Sequence, residues 1–160
     1  MRPDEKYMKE AIKQAKKAYD LGEVPIGCII VYQDKIIARG YNRRNTDKNT
    51  LSHAELIAIN KASKKIGDWR LEGCILYVTL EPCPMCAGAI LNSRIDRVVY
   101  GSQDSRFGGC GTTIDVLCGN ALGQTVEVTH GVFGDECLGL IQGFFREMRA
   151  KKGDSGQKKL

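Results

Sequence analysis

Two short stretches of this chain carry side chains whose types and spacing suit metal-assisted hydrolysis. His53-Ala54-Glu55 sets an imidazole and a carboxylate two residues apart, and Pro82-Cys83-Pro84-Met85-Cys86 holds two thiols at the Cys-x-x-Cys spacing. At a turn leading into a helix, that spacing lets both sulfurs reach one tetrahedral ion at about 2.3 Å, and His53 would complete a Cys₂His set. No fourth protein ligand is supplied nearby, so a water can fill the remaining position. Three ligands and a water make the catalytic arrangement, whereas structural zinc sites are closed by four. Glu55 would then carry protons to and from that water without binding the ion. Taken singly, each residue has a plainer use. Cys-x-x-Cys alone also serves as a redox pair, and a lone histidine or helical glutamate is ordinarily structural.

The elements that must position these groups follow from hydrophobic spacing. Met8, Ala11, Ile12, Ala15 and Ala18 recur at helical intervals, predicting an amphipathic helix over 4–21 that ends at Gly22. Gly27–Tyr32 and Lys35–Gly40 read as strands joined by a hairpin at Gln33-Asp34, followed by a polar loop over 42–52. A helix to Ile66 is expected next, with Ser52 as its N-cap. Cys74–Leu80 is apolar enough for a strand buried on both faces, and Met85–Leu91 for a short helix with Pro84 at its first position. Arg97–Gly101 reads as a strand, 101–113 as a Gly-rich loop and 114–117 as a short helical patch. A fifth strand over 125–129 and an amphipathic helix over 135–150 complete the order. That order implies an α/β fold, one mixed sheet with helices on both faces. Both chemical motifs then open a helix, where free N–H groups and the positive dipole end favour thiolates and lower the pKa of a metal-bound water.

Composition narrows the class. The chain has 160 residues, 42% apolar and 27% charged, which suits one domain over 1–150 and a polar, basic tail over 151–160 expected to be loose. No apolar run reaches the ~20 residues of a membrane span, and the first residues lack the apolar core of a signal peptide. The expected location is the cytoplasm. Seven cysteines with no secretion signal argue for metal binding and buried thiols over a disulfide framework. Cys28 and Cys74, in apolar runs, read as buried small hydrophobes. The net charge of +5 leans only weakly towards an anionic partner, because four lysines sit in the tail.

Jointly, His53, Glu55, Pro82, Cys83 and Cys86 match H-x-E…P-C-x-x-C, the signature of the zinc deaminases of nucleobases. From about Tyr7 to Lys151 the chain resembles the bacterial tRNA-specific adenosine deaminases, which form inosine at the wobble position. The resemblance is carried by Glu23-Val24-Pro25-Ile26-Gly27, Gly40-Tyr41-Asn42-Arg43, Leu76 to Cys83, Met85-Cys86-Ala87-Gly88-Ala89, Ser93-Arg94-Ile95 and the block from Asp135-Glu136-Cys137 to Phe144-Phe145-Arg146. It implies a three-layer α/β/α cytidine-deaminase-like fold with a five-stranded mixed sheet, one Zn²⁺ per subunit, and a homodimer acting on a tRNA anticodon stem-loop. It also implies that Asn42 and the Ala54 N–H hold the flipped base, with Val24, Ile26 and Leu80 as apolar walls. Asp104, Arg106 and Phe145 resemble the family's anticodon-loop contacts; their plainer use is a solvated loop and a core aromatic. Two stretches depart from the bacterial pattern: Asn49-Thr50-Leu51-Ser52 before the His motif, and Arg106-Phe107-Gly108-Gly109-Cys110-Gly111-Thr112. The second is similar to the catalytic subunit of the eukaryotic heterodimeric wobble deaminase, which keeps a heterodimer open. A deaminase of free guanine or cytosine would share the zinc motif. A non-catalytic RNA-binding subunit would be expected to lack Glu55 or a ligand.

Overall fold

The protein is described here by a computed structural model covering residues 1–118 and 123–155. Helix α1 spans Pro3–Asp20 and begins where the sequence permits, with Pro at its first position and Glu5 accepting from the Arg2 N–H. Its alanines make one face flat. Gly27 at the start of strand β1 (Gly27–Tyr32) lies directly under that face, where an added Cβ would run into the Ala11 carbonyl and the Ala15 nitrogen. β1 turns into β2 (Lys35–Tyr41) through Gln33 and Asp34, both at positive φ, the backbone that a two-residue hairpin requires.

Helix α2 (Ala54–Ile66), strand β3 (Cys74–Leu80), helix α3 (Pro84–Asn92) and strand β4 (Arg97–Ser102) follow, then strand β5 (Glu127–His130) and helix α4 (Gly134–Ser155). The five strands form one sheet in the order β2-β1-β3-β4-β5. β1 is antiparallel to β2 and to β3, with Ile30 opposite Leu76, while β3, β4 and β5 run parallel, with Leu76 beside Val98 and Val98 beside Val128. The sheet is mixed, as expected.

Side-chain alternation sorts the core onto two faces. Cys28, Ile30, Leu76, Val78 and Val98 pack with Ala58, Ala62, Ala87 and Ile90 of α2 and α3. Ile29, Val31, Tyr77 and Val99 pack with Tyr7, Met8 and Ala11 of α1 and Cys137 of α4. Helices cover both faces, giving three layers. Arg97 ties the second face together. Its guanidinium donates to both Asp4 oxygens at 2.9 and 2.6 Å and to Thr129 Oγ1 at 2.9 Å, and Tyr77 adds its hydroxyl to Asp4 at 2.8 Å.

Four expectations differ from the structure. His53, not Ser52, caps α2; the Ser52 hydroxyl donates instead to Asp47 at 2.9 Å and closes the preceding loop. Residues 114–117 are not helical. Asp115 bridges back to Cys110, and Val116 N–H donates to the Gly109 carbonyl, because the glycines let the chain double over itself. β5 begins at Glu127, two residues later than the alternation suggested. Lys151–Ser155, expected in the loose tail, continue α4, while the tail's last residues, 156–160, lie outside the described residues. No helix among the described residues is long and apolar enough to cross a membrane.

Candidate metal centre and its rim

Strand β1 starts, and strands β2 and β3 end, at the sheet edge where α2 and α3 begin, and this is where the chemistry collects. His53 caps α2 and Cys83 caps α3, both with extended backbones, and Pro84 fixes the first turn that brings Cys86 round. His53 Nδ1 lies 3.7 Å from Cys83 Sγ and 3.5 Å from Cys86 Sγ, and the three ligand atoms all fall within 4.8 Å of one another. Bonds of about 2.0 and 2.3 Å meeting at a tetrahedral angle put nitrogen and sulfur about 3.5 Å apart. The donors therefore fit a zinc ion as they stand. Among the described residues this is the one cluster of three metal-ligating groups. Cys86 is buried, while Cys83 and His53 are half-buried, so the cluster has an open side.

The local electrostatics suit a cation. Cys86 and His53 donate to the Cys83 sulfur and hold its thiol well below the ordinary range, at about 4. Cys86 is driven the opposite way by sharing its proton with Cys83 and by burial. The Cys83 sulfur in turn raises the His53 pKa. Glu55, the second residue of α2, is only 4% exposed, and burial pushes its carboxyl up to about 7. A carboxyl with that value can both accept and return a proton near neutrality. Cys28 lies in the core on β1, its thiol raised well above the usual range by burial and by Glu55.

The expected pocket residues collect at this edge too. Ala54 is fully buried and opens α2, so its N–H has no partner within the helix. Asn42, 7% exposed, donates from Nδ2 to the Val24 carbonyl at 3.2 Å and accepts the Arg44 N–H on Oδ1 at 3.1 Å. It is thus the turn residue its propensity suggested and also the clamp that holds Val24 beside β2. Ile26 accepts the Asn42 N–H at 3.0 Å and packs on the α2–α3 core. Leu80, half-buried, ends β3 two residues after Val78 of that core.

Two buried carboxylates, quoted in the sequence only as parts of blocks, shape the rim. Glu23, 1% exposed, accepts from the N–H groups of Asn45 and Thr46 at 3.3 and 2.6 Å and from the Thr46 hydroxyl at 2.7 Å, so it fixes the loop that delivers His53. Glu81, 2% exposed and two residues before Cys83, accepts from the N–H groups of Asp104, Cys110 and Thr112 at 3.1, 3.0 and 3.2 Å, and from the Thr112 hydroxyl. The available signal was a glutamate in each case set among apolar residues and prolines. Asp104 builds this second loop from within, its Oδ1 accepting the N–H groups of Arg106 and Phe107. Arg106 is exposed and lies over the ring of Phe107, 5.5 Å from its centroid. Phe145, on α4, packs edge-on to Phe144; the aromatic that Arg106 covers is Phe107.

Residues 1–102 match the family model described as the cytidine and deoxycytidylate deaminase zinc-binding region. The chain is 51% identical to a tRNA-specific adenosine deaminase of Bacillus subtilis (strain 168) over 152 residues, 95% of this chain and 94% of the relative. A tRNA-specific adenosine deaminase of Streptococcus pyogenes serotype M18 is 42% identical, over 93% of this chain and 94% of its own. Among solved structures, a tRNA:A34 deaminase studied for A-to-I editing at the wobble position superposes with a TM-score of 0.80 at 36% identity, covering 83% of this chain and 96% of that one. A guanine deaminase from Nitrosomonas europaea shares the fold with a TM-score of 0.76 at 22% identity, over 88% and 83% of the two chains.

Proposed function

Since the chain belongs to the cytidine and deoxycytidylate deaminase zinc-binding family, and within it to the tRNA-specific adenosine deaminases, we infer that it converts adenosine to inosine at the wobble position of tRNA anticodons. The observation that carries this reading is the His53–Cys83–Cys86 cluster with Glu55 buried beside it, in a chain that matches such an enzyme over 95% of its length.

The reaction is hydrolytic. Water adds its oxygen to the carbon bearing the exocyclic amine, the C–N bond breaks, and ammonia leaves. The chain uses one zinc, which His53, Cys83 and Cys86 would hold. When bound, zinc supplies Lewis acidity that makes water nucleophilic near neutral pH. Glu55 accepts the proton lost by the attacking water and returns protons to the ring nitrogen and to the departing amine. The Ala54 N–H, at the positive end of α2, orients the base, and the Asn42 amide reads its polar edge or its ribose. Val24, Ile26 and Leu80 keep competing water from the base. Asp104, Arg106 and Phe145 are assigned to the anticodon loop, with phosphates paired by Arg106.

Residues 1–150 act as one deaminase domain. Two copies form the working unit in the cytoplasm; the exposed apolar side chains of Leu51 before the His motif, Met85 within the Cys motif and Ile114 after the rim loop support a second copy docking here. Incubation with an anticodon stem-loop bearing an unmodified wobble adenosine, in parallel with free adenosine, guanine and cytosine, tests the assignment. Inosine should form in the stem-loop, with the free compounds turned over poorly. Robust deamination of guanine or cytosine with an inert stem-loop would overturn the tRNA substrate and leave the zinc chemistry in place.

A further inference from the structure

Phe107 is a large aromatic side chain held 59% exposed on a loop that is otherwise tightly bound. The loop's shape has little slack. Gly109 N–H donates to the Pro82 carbonyl at 2.8 Å, and a Cβ on Gly109 would lie 2.8 Å from Pro84 N, so this backbone rests directly on the Cys83 turn. A Cβ on Gly108 would run into the Glu81 carboxylate, which gathers the loop from both sides. Asp104 fixes the Arg106 and Phe107 N–H groups. That restraint fixes where the ring points. Here it presents the ring outward, two residues from the backbone that touches the metal clamp, with the Arg106 guanidinium already on one side.

We propose that Phe107 is a base-stacking residue for a nucleotide flanking the target adenosine, and that Glu81 is the positioning residue that holds Phe107 and Arg106 in place for it. The inference rests on the RNA substrate proposed above and deepens it. A ring of this kind accepts any base, because every base has a π-face, while the neighbouring guanidinium pairs with the backbone phosphate. The subsite therefore selects for an unstacked, single-stranded nucleotide rather than for its identity.

Phe107→Ala is exposed enough to leave the fold intact. It should raise KM for the anticodon stem-loop about tenfold, with kcat at saturation and one zinc per chain unchanged, and Phe107→Trp should restore KM. Glu81→Gln, which turns an amide N–H₂ towards the loop's own donors, should reproduce the KM rise although Phe107 is still present. A direct readout needs no turnover. Trp69 is the chain's single tryptophan, so Trp69→Phe combined with Phe107→Trp reports from position 107 alone. Its fluorescence should be quenched by a single-stranded anticodon-loop oligonucleotide at the concentration that half-saturates binding. An unquenched signal with stem-loop turnover intact would overturn the proposal, as would a Phe107→Ala variant that dissociates into monomers and thereby marks the ring as an interface between copies. If the wild-type protein leaves the stem-loop unreacted, the RNA assignment fails first, and quenching by the oligonucleotide still decides the subsite.

Discussion

Glu55 is the residue whose chemistry depends most on where the fold puts it. On the surface of a helix it would be an ordinary acid; as the second residue of α2, buried next to His53 and the Cys83 turn, it has a carboxyl raised to about 7, the value that the proposed proton carrier needs. Glu55→Gln keeps the size and the helix but cannot accept the proton. We expect kcat to fall by about 10²–10⁴-fold with zinc content still one per chain, measured by single-turnover inosine formation and elemental analysis. A Gln variant with wild-type kcat would remove Glu55 from the mechanism. The metal set was legible because His53, Cys83 and Cys86 match one motif pattern together, and the fold brings the three ligand atoms within 4.8 Å of one another. Glu23, Glu81 and Phe107 were not legible in the same way. Nothing in the spacing of a buried carboxylate says which backbone N–H groups it will collect, since those lie 22 to 31 residues away and are brought to it only by the sheet.

At the scale of elements, close approach decides what can change. Gly27 sits where α1 crosses β1 with no room for a methyl group. Gly27→Ala must push the helix off the sheet, and overpacking of this kind costs about 3 kcal/mol, which thermal unfolding should show as a Tm lower by roughly 6–12 °C. The Asp4–Arg97 link joins the start of α1 to β4 and holds the Asp4 carboxyl below its usual range, chiefly through the guanidinium. A lowered folded-state pKa contributes stability that is complete above the unfolded value of 3.8 and is lost as pH falls through the folded one. Asp4→Asn should therefore cost about 1–2 kcal/mol at pH 7, and the difference from wild type should shrink below roughly pH 4 in urea melts taken across pH. The long, periodic elements were readable to within a residue or two, except that α4 runs five residues past its expected end. The 114–117 segment was not, because its apolar residues serve a doubled-back loop whose shape is set by Glu81 and three glycines rather than by local propensity.

The molecule as a whole presents a modest positive charge of +5 to an anionic substrate. Binding should rest on a few placed cations more than on the net field. Affinity for the anticodon stem-loop should fall as salt rises, and Arg106→Ala should reduce the log–log slope by about 0.7, one phosphate on a single strand, without altering zinc content. Filter binding across a salt series reads this directly, and an unchanged slope would take Arg106 out of contact with phosphate. Phe107→Ala should weaken binding at every salt concentration while leaving the slope alone, since stacking releases no counterions.

The capture of the rim loop by Glu81 also bears on how such a protein can diversify. A carboxylate that gathers backbone N–H groups is indifferent to the side chains those residues carry. Arg106 and Phe107 can be exchanged without rewriting the bonds that hold their backbone, which run from their N–H groups to Asp104 and from Asp104, Cys110 and Thr112 to Glu81. The chain thus separates a chemical engine from an exchangeable reading head. New nucleic-acid preferences can arise by substitution at two neighbouring codons while the deamination step is inherited intact.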